Sequence, residues 1–127
     1  MNSGKLTAAS AIALFTLVGA AATAADLEVT CEKRANRSRA SVDGSNLRSG
    51  SYRAVLKSGE KTARSPLDQT IGDEVEFDFD SNPNDIAEGA TPIPAGFIVD
   101  GRVRAYLVNT SNQRVTPVVR AFCRVRR

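Results

Sequence analysis

Glu74–Asp80 reads EVEFDFD, an unbroken alternation of acidic and apolar side chains. Successive side chains of a β-strand point to opposite faces, so this pattern predicts a strand that buries Val75, Phe77 and Phe79. The four carboxylates of the stretch, of which Asp80 is the last, are then expected to face solvent. A strand that is apolar on one face and acidic on the other is typical of a sheet that packs on the core with one face and is exposed to solvent on the other.

The same period of two recurs on both sides of this stretch and predicts six further strands. They cover residues 27–33, 37–42, 51–57, 61–65, 102–109 and 115–125. The turn-forming residues of Asp43–Asn46 and Ser58–Glu60 predict turns between strands. Pro117 falls inside the last run, which predicts an edge position or a bulge there. No apolar pattern of useful length repeats with the helical period after residue 25.

Seven short strands separated by turns predict an all-β fold, a small antiparallel β-sandwich of immunoglobulin-like size. A small β-barrel is the alternative. The resemblance is to the architecture alone, since the chain has no Trp and its cysteines lack the usual inter-sheet spacing. Residues 81–100 are rich in Pro and Gly and predict a long irregular loop, packed through its apolar residues, with one short strand at 96–99. Loops of this length are often functional.

The beginning of the chain has the three parts of a secretory signal peptide. Met1–Lys5 is positively charged, Leu6–Ala20 carries no charge, and small residues follow. Cleavage is expected after Ala24 or Ala25, which leaves residues 25–127 as a single β-sandwich domain. The apolar run is short for a membrane span of about 20 residues, so no retained span is expected. The predicted location is the periplasm or the outside of the cell.

The chain contains two cysteines, Cys31 and Cys123. An even number of cysteines in an exported protein predicts a disulfide bond. The strand alternation places both on core-facing positions, which supports the same pairing. In the chain-entropy model, closing a loop of this size stabilises the fold by about 4.5 kcal/mol.

The residue types exclude several chemistries. The chain has no His, so Ser-His and Cys-His nucleophiles and His-based zinc sites are excluded. No catalytic residue and no cofactor is predicted. An acidic cluster at residues 78–88 offers the alternative function, a calcium-binding module or a small carboxylate-based hydrolase. The candidate calcium ligands are Asp78, Asp80, Asn82, Asn84 and Asp85, although Pro83 and Gly89 break the EF-hand pattern.

Charge is segregated along the chain. Every charged residue from Asp68 to Asp100 is acidic, and every one from Arg102 to Arg127 is an arginine. Stripes of opposite charge on neighbouring strands would neutralise each other. Alternatively, an Arg-rich sheet face binds an anionic envelope component or an acidic protein patch, because guanidinium groups pair bidentately with carboxylate and phosphate.

The candidate partner-binding residues are Arg102, Arg104, Arg120, Arg124 and Arg126, with the first two on one face and the other three on another. A net charge of only +3 and few aromatic residues argue against a nucleic-acid binder. The function expected from the sequence is that of a small exported, non-catalytic accessory or interaction protein.

Overall fold

Two β-sheets form the framework of residues 25–127, the part of the chain that the computed structural model describes. The strands are β1 Asp26–Arg34, β2 Arg37–Ser45, β3 Ser51–Ser58, β4 Lys61–Arg64, β5 Asp68–Gln69, β6 Val75–Asp80, β7 Thr91–Pro92, β8 Arg102–Val108, β9 Val119–Phe122 and β10 Arg124–Val125. One short helix, α1, spans Pro83–Ala87. The predicted all-β sandwich is confirmed, whereas the predicted signal peptide lies outside the described residues.

The first sheet has the strand order β10-β1-β2-β6-β7, and the second has the order β4-β3-β8-β9, with β5 paired to β3. The long strands pair antiparallel, as predicted. The two short strands at the edges of the first sheet, β7 and β10, pair parallel to their neighbours. These edge strands each pair through only two residues, so the antiparallel ladders β1–β2–β6 and β3–β8 carry the framework.

The core lies between the inner faces of the two sheets. Val75, Phe77 and Phe79 of β6 are buried, as the alternation predicts. They pack in one cluster with the apolar residues of the second sheet, of which Leu56 and Leu107 are fully buried. The period-two pattern therefore assigned the inward face of each long strand correctly.

The turn predicted at Asp43–Asn46 begins later than expected, because β2 continues to Ser45. Gly44 pairs with β6 and faces the opposite sheet, where an added Cβ would lie 2.7 Å from a methyl carbon of Leu107. The chain turns at Asn46, whose φ of 57° lies in the left-handed region that Asn tolerates. The absence of a side chain at Gly44 therefore lets the two sheets approach closely, and Gly44 is not part of the turn.

The single strand predicted for residues 115–125 is wrong. The chain there forms β9 in the second sheet, leaves regular structure at Cys123, and forms β10 in the first sheet. Pro117 lies before β9, outside any strand. Alternation continues through the crossing between sheets, so the sequence pattern hides the break.

The predicted disulfide is confirmed. Cys31 in β1 and Cys123 at the crossing are joined with an S–S distance of 2.05 Å and a Cα–Cα distance of 4.6 Å. Both cysteines are half-buried and pack against the core. The bond therefore fixes the crossing between β9 and β10 to the first sheet.

Residues 81–100 contain more regular structure than the sequence predicts. Asn82 caps α1 by accepting a hydrogen bond from the backbone of Asn84, and Pro83 begins the helix. The strand predicted at 96–99 is absent, and Val99 makes only an isolated bridge. A single helical turn is too short to produce a visible period, which explains the missed helix. The predicted packing is confirmed, since Ile93, Phe97 and Ile98 are buried.

Candidate functional site: a basic sheet face

The outer face of the second sheet gathers cationic side chains from four strands. Period-two alternation turns these residues away from the core, and the strand register places them beside one another. The residues of this basic face are Arg53, Lys57, Arg64, Arg102, Arg104 and Arg120. The outward positions of β3, β4, β8 and β9 carry no carboxylate.

Three of these cations form a row across the sheet, called here the basic row. Arg104 in β8 lies directly opposite Lys57 in β3 on one side and Arg120 in β9 on the other. Directly opposed side chains on antiparallel strands have Cβ atoms about 4.5–5.5 Å apart, and like charges in such pairs are destabilising. A bound anion would therefore reduce the repulsion between the three charges of the basic row.

No carboxylate of residues 25–127 pairs with the basic face. The ion pairs found in this part of the chain join Glu32 to Arg34 and Arg126, and Arg37 to Asp80 and Asp85. The acidic residues of β6 and the basic residues of β8 and β9 lie on different sheets, so they do not neutralise each other across neighbouring strands. The charges of the basic face therefore remain available to a partner.

The basic face borders an open depression of about 780 Å³. Tyr106 and Arg114 line it together with the basic row. At one end of the face, the Nε atom of Arg53 is buried and has no hydrogen-bond partner in the described part of the chain. An unpaired buried donor is costly, and an anionic oxygen is the acceptor that satisfies it best.

An exposed aromatic residue lies at the rim of this face. Phe122 in β9 is 85% exposed and pairs in register with Arg102. With Arg104 and Arg120, and with Asp100 from the turn before β8, it lines a second depression of about 370 Å³. The rim therefore offers apolar contact next to positive charge.

The structure divides the predicted partner-binding residues into two groups. Arg102, Arg104 and Arg120 belong to the basic face. Arg124 and Arg126 lie in or beside β10 of the first sheet, and Arg126 forms an ion pair with Glu32. The prediction that Arg120, Arg124 and Arg126 share one face is wrong, because the chain crosses between sheets at Cys123.

Sequence reasoning missed three members of the basic face. Arg53, Lys57 and Arg64 come from the earlier part of the chain, where positive and negative charges are mixed. The signal was present, because alternation in β3 already placed Arg53 and Lys57 outward. Only the pairing of β3 with β8 shows that they lie beside the C-terminal arginines.

The candidate calcium ligands lie around a cation that belongs to the protein itself. Arg37 donates to both carboxylate oxygens of Asp80, at 3.0 and 2.7 Å, and to Asp85 at 2.9 Å. The side chain of Asn82 is engaged as the helix cap. Within residues 25–127, no group of three or more acidic, His or Cys residues is placed to hold a metal ion. The guanidinium of Arg37 thus lies between two of the five candidate ligands.

Asp80 departs from the prediction that it faces solvent, since it is only 5% exposed. Burial alone would raise the pKa of this carboxyl group. The hydrogen bonds from Arg37 and from the backbone of Asn82, together with the Arg37 charge, outweigh burial and hold the pKa below its ordinary value. Asp80 is therefore a buried ionised group that ties β6 to β2.

One end of the outer face of the first sheet carries a row of acidic residues, whereas Arg39 and Arg124 lie at the other end of this face. Glu28, Asp43 and Glu76 are directly opposed on β1, β2 and β6, and they form what is called here the acidic row. Burial raises the pKa of Asp43, and the neighbouring carboxylates, led by Glu76, raise it further. The two faces of the sandwich thus carry like-charged rows of opposite sign.

The fold and these rows define a small, disulfide-closed all-β protein with a basic row on one outer face and an acidic row on the other. No known protein family, curated protein or solved structure matches the chain. No helix in the described part of the chain is long and apolar enough to cross a membrane. The candidate functional residues are therefore those of the basic row and the acidic row.

Proposed function

We propose that the protein is a non-catalytic interaction protein that binds an anionic partner through its basic face. The observation that carries the proposal is the basic row, in which Arg104 lies between Lys57 and Arg120 and no outward strand position of the sheet carries a carboxylate. Unopposed like charges in direct register weaken a sheet. A bound anion converts this unfavourable arrangement into charge-assisted hydrogen bonds.

The geometry favours an extended anion over a small one. The basic row crosses three strands, and neighbouring strands lie about 4.8 Å apart, so its charges are spread over roughly 10 Å. Arginine forks suit carboxylate, phosphate and sulfate groups. The partner class is therefore a polymer, surface or protein patch with repeated anionic groups, such as an anionic envelope component or an acidic protein.

The proposed location is the periplasm or the outside of the cell. The Cys31–Cys123 bond supports it, because disulfides persist in oxidising compartments and are rare in the cytosol. The signal peptide predicted for residues 1–24 supports the same location. The partner is accordingly sought among anionic molecules of those compartments.

The test is a binding titration of the oxidised protein with heparin, used as a sulfated polyanion, at low and at physiological ionic strength. We expect binding that weakens as salt rises, since exposed charges are screened over about 10 Å at 0.1 M salt. The double variant Arg104→Glu with Arg120→Glu should bind at least about tenfold more weakly, because it reverses two charges of the basic row.

The matched control is Arg48→Glu with Arg127→Glu. It changes the net charge by the same amount at exposed positions outside the basic face. If both double variants lose the same affinity, net charge rather than the basic face determines binding, and the proposal fails. Binding by the wild-type protein that does not respond to salt would also contradict it.

A further inference from the structure

The acidic row and the basic row match each other in layout. Each consists of three charged side chains in direct register on three adjacent antiparallel strands. Both therefore repeat at the same spacing of about 4.8 Å between strands. The rows lie on the outer faces of opposite sheets, so one molecule presents them in opposite directions.

The acidic row has no cation of its own. In residues 25–127, none of the ion pairs involves Glu28, Asp43 or Glu76. The shallow cavity of about 320 Å³ beside them is lined by further carboxylates, Asp26 and Glu74, and by no basic side chain. This row, like the basic row, is an uncompensated charge that a partner of opposite sign would stabilise.

We propose that the acidic row of one copy docks on the basic row of the next, so that the protein associates head to tail. The inference rests on the proposed function, because it uses the basic face as the anion-binding surface and names a second copy of this chain as the anionic partner. A contact between two different faces is heterologous and leaves a free face at each end, so it builds open chains rather than closed dimers.

The size of the faces sets the strength of the contact. Four strands of about six residues cover roughly 20 by 20 Å, or about 400 Å² per copy. A standard stable interface buries about 800 Å² per partner. The association is therefore weak and dependent on concentration, and its dependence on charge makes it sensitive to salt.

Sedimentation velocity of the oxidised protein over a range of concentrations tests the inference. At low salt we expect the weight-average mass to rise with concentration, and at high salt we expect a monomer. The variant Arg104→Glu with Arg120→Glu reverses two of the three charges of the basic row, and Glu28→Lys with Glu76→Lys reverses two of the three charges of the acidic row. Each variant alone should associate far less than the wild type, because its altered row meets an intact row of the same net sign.

An equimolar mixture of these two variants is the decisive sample. In the mixture, the intact acidic row of the first variant can dock on the intact basic row of the second. Association at low salt should therefore return. A wild-type protein that stays monomeric at every concentration, or a mixture that behaves as the two separate variants do, would overturn the inference. The Arg48→Glu with Arg127→Glu variant should associate like the wild type.

The heparin titration separates failure of this inference from failure of the proposed function. Glu28→Lys with Glu76→Lys leaves the basic face intact, so it should bind heparin at least as tightly as the wild type. Heparin binding without self-association would reject the second copy as partner and leave the basic face as an anion-binding surface. If the wild-type protein neither binds heparin nor self-associates, both proposals are rejected.

Discussion

At the scale of single residues, Arg37 determines the role of the acidic cluster at residues 78–88. Its guanidinium bridges Asp80 of β6 and Asp85 of α1, so one side chain joins β2, β6 and the helix. Asp80 and Asp85 are candidate calcium ligands in the sequence pattern. In the structure, their ion pairs with Arg37 give them a structural role. A sequence pattern of oxygen donors does not reveal whether an arginine distant in the chain already lies among them.

Replacing Arg37 by Met tests this role, because Met keeps much of the apolar stem and removes the charge. Asp80 would then be a buried carboxylate without its ion-pair partner. Removing one partner of a buried pair costs about 3–5 kcal/mol, and Arg37 is partly exposed, so we expect a loss of about 2–4 kcal/mol in the free energy of unfolding at neutral pH. Urea denaturation measures it.

The pH dependence of the same variant has a definite sign. The pKa of Asp80 is lower in the folded protein than its ordinary value. Its stabilising contribution is therefore present above the ordinary carboxyl pKa and is lost as pH falls through the folded value. The gap between wild type and Arg37→Met should shrink in acid. Arg34→Met removes an ion pair at 3.6 Å between a largely exposed arginine and the less exposed Glu32, and it should change stability by less than about 1 kcal/mol at any pH.

At the scale of elements, two buried serines attach the loop before β8 to both sheets. Ser38 of β2 donates to the carbonyl of Ala95 and accepts from the backbone of Ile98. Ser58 of β3 donates to the carbonyl of Arg102 and accepts from the backbone of Val99. These bonds explain how a segment rich in Pro and Gly is held in the core without a regular strand.

Substitution of Ser58 by Ala should destabilise the protein by about 1–3 kcal/mol, because a partly buried N–H and a partly buried C=O lose their bond to the Ser58 hydroxyl. The loop would open first, so amide hydrogen exchange at Val99 should accelerate more than exchange in β2. Ser49→Ala, an exposed serine between β2 and β3, serves as control. Equal exchange rates at Val99 in both variants would show that the Ser58 hydroxyl does not hold the loop.

The strands show where sequence reasoning succeeds at this scale. Alternation identified the inward residues of β3, β6 and β8, because a half-buried strand must separate apolar from polar side chains. It could not find the break at Cys123, since side chains keep alternating while the backbone changes sheets. It also could not assemble the basic face, because Lys57 and Arg104 meet only through the pairing of β3 with β8.

At the scale of the whole molecule, the basic row and the acidic row lie on the outer faces of opposite sheets. The sequence already separates acidic and basic stretches, and the topology places β6 in one sheet and β8 and β9 in the other. The acidic residues of β6 and the basic residues of β8 and β9 are separate in the sequence, and they also lie on different sheets. This arrangement gives the proposed anion-binding face and the proposed head-to-tail contact a common origin.

The Cys31–Cys123 disulfide constrains the chain almost from end to end, so its loss should affect the stability of the whole fold. It closes a loop with a sequence separation of 92 residues, for which the chain-entropy model gives about 4.5 kcal/mol. A domain of this size has a total stability of about 5–15 kcal/mol, so the bond supplies a large share. Reduction should lower Tm by about 20 °C, since 1 kcal/mol corresponds to about 4–8 °C in a domain of about 100 residues.

Thermal melts followed by circular dichroism, with and without dithiothreitol, measure this effect, and mass spectrometry confirms reduction. The double variant Cys31→Ser with Cys123→Ser provides the comparison without reductant and should melt close to the reduced wild type. If both melt near the oxidised protein, loop closure does not stabilise the fold. Because β10 is held beside Cys31, exchange in β10 should rise on reduction more than exchange in β8, which lies inside the second sheet.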